Sequence, residues 1–279
     1  MLARTPSVER GSERLAERRR TRRRRGLFVF LLLLLLLLAA IIYGLRQSAV
    51  RISHVEVLGA DQSLSSYATN AMGGSYFGVI PRDSILFFPE SQIRSDILAE
   101  HADIAAVSIF RSGLTSISIK TNDRVPVARW CGLAPTAGVE EYCYVFDAGG
   151  YIFAAAASTT KTINSFALYA PLVGETLEPP VVSGVEPLRA TIAQSEKLPH
   201  VFDFARQLLT LGSPVTRIIF RGDEVDDYLE NDTRITYVLG REQDALTALV
   251  SAQENMNLSD GSVEYVDLRF DGKVYLKKN

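Results

Sequence analysis

The chain has 279 residues and a formal net charge of −2, a balance that conceals a split: residues 1–26 hold ten Arg and three Glu, a net +7, which leaves −9 for the remainder. Bulk charge therefore excludes little, but a single long uncharged apolar run excludes a multi-pass membrane protein. Three histidines and two cysteines leave few groups for metal or thiol chemistry.

Residues 1–26 combine low hydrophobicity with no aromatic residue, so they are expected to be disordered in isolation. Ten arginines beside an apolar run serve topology and attraction to anionic head groups; nucleic acid is the weaker reading. Residues 27–45, LFVFLLLLLLLLAAIIYGL, carry no charge over a length that reaches about 28 Å as a helix, close to the roughly 30 Å of a bilayer core. Arg20, Arg22, Arg23, Arg24 and Arg25 press on its N-terminal end, whereas only Arg46 and Arg51 follow closely. The positive-inside bias places the N-terminus in the cytoplasm and everything after Leu45 outside. A cleaved signal peptide is the rival reading, but its apolar core is usually about 7–15 residues and needs an A-x-A-like site, which the sequence lacks.

Both cysteines, Cys131 and Cys143, fall in the part expected outside. An oxidising compartment favours a disulfide closing the intervening loop, worth on the order of 3 kcal/mol; two buried thiols are the alternative.

Residues 52–58 alternate as a strand ended by Gly59, and residues 65–72 form a short helix stopped by Gly73 and Gly74. A second helix opens at Glu90, with Ile93, Ile97 and Leu98 on one face. Residues 104–111 and 116–122 read as a hairpin. The order strand, helix, helix, strand, strand predicts a small α+β module over residues 51–123, with helices on one face of a three-stranded sheet.

Ile52, Val55, Val57 and Gly59, then PRDSILFF (81–88), Val107, Phe110, Arg111 and DRVPVARW (123–130), resemble the POTRA domain and exit strand of the FtsQ/DivIB family of bacterial cell-division proteins. The order of a basic tail, one span, one POTRA domain and a β-rich domain over residues 124–279 adds to the resemblance. Asp123-Arg124 stands where the family commonly has Glu-Arg.

Beyond Val125 the periodicity is mainly that of strands: 125–130, 143–147 and 151–155, with Ala148, Gly149 and Gly150 as a turn. DAGGYIF (147–153) resembles the Asp-x-x-Gly hairpin that opens the family's β domain, which would set Cys131 and Cys143 at the mouths of facing strands. Residues 158–199 read as a long polar connection with four prolines and a short strand near 167–170. A helix over 201–211, strands at 215–220, 225–229 and 234–239, and an amphipathic helix through Leu246, Leu249, Val250 and Met256 follow. Residues 263–277 read as two strands hinged at Asp271-Gly272, a pair suited to a tight hairpin.

No G-x-S-x-G, P-loop or G-x-G-x-x-G motif occurs, and His54, His101 and His200 share no ligand spacing, so no catalytic, cofactor-binding or metal-ligating residue is assigned. Asp223, Glu224, Asp226 and Asp227 lack the EF-hand ligand order and read as a solvated turn. What remains is a sheet edge, whose unpaired N–H and C=O groups a partner strand can complete. Lys277 and Lys278 also suit an edge protected against pairing.

YVDLRFDG (265–272) resembles the family's terminal Tyr-Val-Asp-Leu-Arg-Tyr signature. The resemblance implies a non-enzymatic scaffold at the division septum that links early and late division proteins and controls septal peptidoglycan synthesis. It would bind FtsB- and FtsL-type partners partly by strand addition, with other division components reached through the POTRA domain. Carried over, the partner-binding residues are Tyr265, Arg269, Phe270, Gly272, Val274 and Tyr275. Phe270 replaces a tyrosine, and the hairpin is one residue shorter. An anchored envelope enzyme, such as a peptidoglycan hydrolase, and a POTRA-bearing chaperone are the competing classes.

Overall fold

The computed structural model describes residues 10–59, 61–135, 142–157, 159–175 and 187–279. It is a mixed α+β protein with one apolar N-terminal helix and a large β-sheet, and it divides into two compact units. Residues 1–100 and 106–121 form the first; residues 101–105 and 122–279 form the second.

Helix α1 runs Arg10–Leu45, and its part Arg22–Leu45 is long and apolar enough to cross a membrane. Its helical structure reaches back into the arginine-rich segment, where disorder is expected from composition. A preformed apolar helix supplies the nucleus, so each added residue only propagates it.

In the rest of the first unit, β1 (His54–Leu58), α2 (Ser65–Ala71), β2 (Ser75–Tyr76), β3 (Ile80–Pro81), α3 (Glu90–Glu100), β4 (Ile104–Arg111) and β5 (Ser116–Asp123) follow in order. The sheet order is β1-β5-β4, with β1 parallel to β5 and Val57 opposite Ile119. Alternation buries Ile117 and Ile119 completely, and the helices meet that face with Ala68, Ile93 and Ile97. The small β2–β3 hairpin adds a two-stranded sheet between the helices in sequence.

The second unit contains β6 (Ala128–Trp130), β7 (Tyr144–Phe146), β8 (Ile152–Ala155), β9 (Ala167–Tyr169), α4 (Leu198–Thr210), β10 (Val215–Arg221), β11 (Glu224–Leu229), β12 (Arg234–Val238), α5 (Glu242–Ala252), β13 (Val263–Asp267) and β14 (Tyr275–Lys278). They make one nine-stranded sheet ordered β14-β13-β12-β11-β10-β9-β6-β7-β8. The segment that reads as a polar connection with one short strand thus supplies the strand that joins the two parts of the sheet: β9 pairs in parallel with both β6 and β10. Leu168 and Tyr169 are fully buried there, and Trp130 Nε1 donates to the Ala170 carbonyl at 2.8 Å.

α4 starts three residues earlier than periodicity predicts, because a 3-10 turn at Ser195–Lys197 leads into it and Pro199 fits its first turn. It lays Val201, Phe202, Phe204, Ala205 and Leu208 on the sheet. Phe204 stacks at 4.5 Å from Tyr237, and Phe202 at 5.0 Å from Phe166.

Cys131 and Cys143 are joined by a disulfide just beyond the antiparallel pair β6–β7; residues 136–141 of the loop lie outside the described residues. DRVPVARW and DAGGYIF meet: Arg124 pairs with Asp147, lies 4.1 Å over the Tyr151 ring, and donates from Nε to the Ala102 carbonyl at 3.0 Å. Asp147 in turn accepts from the Gly149 and Tyr151 amides at 2.9 and 3.1 Å. Gly150, at φ +76°, closes this turn where a Cβ would stand 2.5 Å from Ser195 Cβ. Gly150→Ala is therefore expected to destabilise the second unit by about 2 kcal/mol or more, from left-handed strain plus overpacking, read as a lowered urea midpoint.

Candidate functional site

Strand β14 is the last of the nine-stranded sheet and pairs only with β13, Val266 opposite Leu276 and Asp267 opposite Tyr275. The Leu268 amide donates to Thr236 of β12 at 2.8 Å and the Asn279 amide to Ser262 at 3.0 Å. Alternation from both ends agrees: Tyr275 and Lys277 direct their backbone groups to β13, and Leu276 and Lys278 direct theirs outward. Among the described residues no strand covers that outer edge. The opposite edge, β8, is covered in part, since Ile152 exchanges hydrogen bonds with Ala190 and Arg189 at 2.9 and 2.8 Å.

The hairpin leading to this edge is wider than the tight turn predicted at Asp271-Gly272. A turn is there, with Gly272 at φ +63° and the Lys273 amide on the Phe270 carbonyl at 3.1 Å, but the ladder begins only at Asp267 and Tyr275. The reason is competition: Leu268 bonds to β12, and the Asp267 carboxylate captures the Arg269 amide at 3.1 Å.

Of the six residues that the resemblance implies for partner binding, most lie on this corner. Phe270 and Tyr275 are 51% and 49% exposed and meet edge to face at 5.3 Å. Gly272 and Val274 line one end of an open groove of about 770 Å³ against α5, shared with Thr247, Ala248 and Ser251. Tyr265 sits one strand inward, its ring under Arg234 at 5.3 Å. Arg269 is a positioning residue: it forks onto Asp267 at 3.0 and 2.7 Å and reaches Glu224 at 2.6 Å. Those contacts hold the Asp267 carboxyl below the usual range and raise the guanidinium further.

Arg269 is the end of a charge network that alternation within single strands does not reveal. On β11 and its neighbours, Arg221 forks onto Asp226 at 2.5 and 2.8 Å and lies 3.3 Å from Glu224, while Thr236 donates to Asp226 at 2.6 Å. Glu224 links this group to Arg269. Arg241, at the start of α5, pairs with Asp271 and ties the turn to the helix. The only local signal was the period-two spacing of Glu224 and Asp226.

The acidic run is accordingly not a solvated turn. Asp226 and Asp227 are buried within β11, and Asp227 faces the helices beside Tyr237 and Glu242. Burial pushes the Asp227 carboxyl well up, with the Asp226 charge adding to it; neither its oxygens nor the Tyr237 hydroxyl closes a hydrogen bond of normal geometry. Among the described residues, no group of three or more His, Cys, Asp or Glu is arranged to hold a metal. His54, His101 and His200 lie on separate parts of the chain.

Two measurements follow from this electrostatic frame. Arg269→Ala is expected to lower stability by about 1–2 kcal/mol, discounted because the guanidinium is 35% exposed, whereas Tyr275→Ser should stay within about 0.5 kcal/mol; both are read by urea unfolding. A carboxyl whose folded pKa is raised makes folding less favourable as pH rises from its unfolded value to its folded one. Asp227→Asn should remove that slope and raise the melting temperature at neutral and alkaline pH relative to the parent, seen in a scan from about pH 4 to 9. The chain matches no protein-family model and no curated protein.

Proposed function

We propose that the chain is a single-pass division-site scaffold of the FtsQ/DivIB kind, with a cytoplasmic N-terminus, a POTRA domain in the first unit and a partner-binding β domain in the second. The observation that carries this reading is the outer edge of β14, uncovered among the described residues and flanked by the exposed Phe270–Tyr275 pair and by the groove along α5. An edge of this kind offers main-chain hydrogen bonds for affinity and alternate side chains for specificity. Val274 and Leu276 pack toward the core on one side, and Tyr275 stands with Phe270 on the other, so an added strand would read two different surfaces.

Further support comes from the strand-helix-helix-strand-strand order of the first unit and from α1, whose length and composition suit one membrane crossing. The arginine cluster before the span favours an N-terminus inside. FtsB- and FtsL-type proteins would add a strand at β14, and the scaffold would connect them to earlier division proteins at the septum without performing a reaction.

Lys277 is held by Glu264 at 2.5 Å on the inner side of the strand, so its charge does not by itself close the edge. Lys278→Pro removes one outward N–H while leaving the β13 ladder intact, and Tyr275→Asp places a charge on the exposed face. In a pull-down from the native organism's solubilised membranes, the full chain is expected to capture FtsB- and FtsL-type proteins, and each variant to lose at least about tenfold, or ~1.4 kcal/mol, of binding. Full retention by both variants would move the site away from β14. Capture of no division protein by the parent chain would overturn the scaffold reading.

A further inference from the structure

The first unit carries an apolar rim beside the end of α1. Phe77 forms the tip of the β2–β3 hairpin and is 98% exposed, with φ of +51°. A bulky residue in the left-handed region is strained, and here nothing packs on its ring in return. Val79, Leu86 and Phe87 are exposed as well.

These residues are not scattered with respect to the helix. α1 ends at Leu45, which is buried, and α1 packs against β3. Arg46, the first residue past the helix, reaches the carbonyls of Gly78 and Val79 with its guanidinium at 3.4–3.5 Å. The hairpin tip thus lies within one side chain's length of the plane where the apolar run stops. Residues 83–87 lie beside the same chain segment, since the Ile85 amide donates to the Val50 carbonyl at 3.0 Å and the Ile52 amide to Asp83 at 2.7 Å. Arg51 forks onto Asp83 at 2.5–3.0 Å, and Arg82 lies 5.2 Å from the Tyr76 ring centroid.

We infer that the Phe77 hairpin tip, with Leu86 and Phe87, seats in the head-group layer of the bilayer that α1 crosses, docking the first unit on the membrane surface. The inference rests on α1 being a membrane span. The polar layer beyond the hydrocarbon is about 5–7 Å deep on each side, which is the range that an aromatic side chain near the helix end can enter. Aromatic rings beside arginines are the composition of such interfacial contacts, and Tyr43, 72% exposed on the last turn of α1, belongs to the same belt. An exposed, strained ring that gains nothing in water has a reason to be there if lipid receives it.

The test uses the full chain reconstituted into phosphatidylcholine–phosphatidylglycerol vesicles, with Phe77→Trp compared with the parent, whose single Trp130 is buried. The added fluorescence is expected to be blue-shifted and quenched most by lipid brominated near the head of the acyl chain. Leu36→Trp, at mid-span, is measured in parallel with lipid brominated near the chain ends. Quenching of the mid-span tryptophan together with solvent-like, unquenched emission from position 77 would overturn the inference and leave the span standing. Failure of the mid-span tryptophan to quench would remove the span, and the inference with it. Shielding of position 77 from aqueous acrylamide in native membranes but not in these vesicles would mean that a protein covers the patch, which also overturns it.

Discussion

The parallel pairing of β9 with β6 on one side and β10 on the other is the contact on which the second unit depends. Without Ala167, Leu168 and Tyr169, the sheet would be two fragments, β8-β7-β6 and β10 through β14, each with an open edge. Parallel pairing requires a long connection, and the proline-bearing chain around β9 is that connection. It is anchored by Trp130 and Asn164, the latter holding its own amide and side chain on the Val127 carbonyl and accepting from Arg206 of α4 at 3.0 Å. A continuous sheet then lets one helix layer cover both halves: Phe202 reaches Phe146 and Phe166 on one half, while Phe204 stacks on Tyr237 of the other.

The two faces of the sheet's C-terminal half do different work. One is apolar and carries α4 and α5, with Asp227 as a buried exception whose carboxyl is pushed well up by burial, the Asp226 charge adding to it. The other carries the chain Arg221, Asp226, Thr236, Glu224, Arg269 and Asp267 across four strands. Individually these pairs are partly exposed and modest in strength; together they hold residues 268–270 out of the terminal ladder. The exposed ring of Phe270 is therefore carried on a backbone held by these contacts.

Much of this architecture is legible in local pattern. The apolar N-terminal helix follows from its continuous uncharged run, and the two helices and the hairpin of the first unit and strands β10 to β12 follow from periodicities of 3.6 and 2, because each of these buries one face against a single layer. Asp271-Gly272 also marks a real turn, and the Cys131–Cys143 pair follows from an even count of two. What local pattern missed was long-range. A short strand near 167–170 is legible, and β9 occupies 167–169, but its place in the sheet comes from partners far away in sequence.

The sequence by itself determined which stretch is apolar enough to cross a membrane, which segments alternate, and which residues turn the chain, since these depend on neighbours within a few positions. Only the tertiary structure decided that Asp226 and Asp227 are buried, that Arg124 meets Asp147, and that β9 lies between β6 and β10. Burial and pairing are set by which strands become neighbours in the sheet, and that is a property of the whole chain's closure, which no window of residues contains.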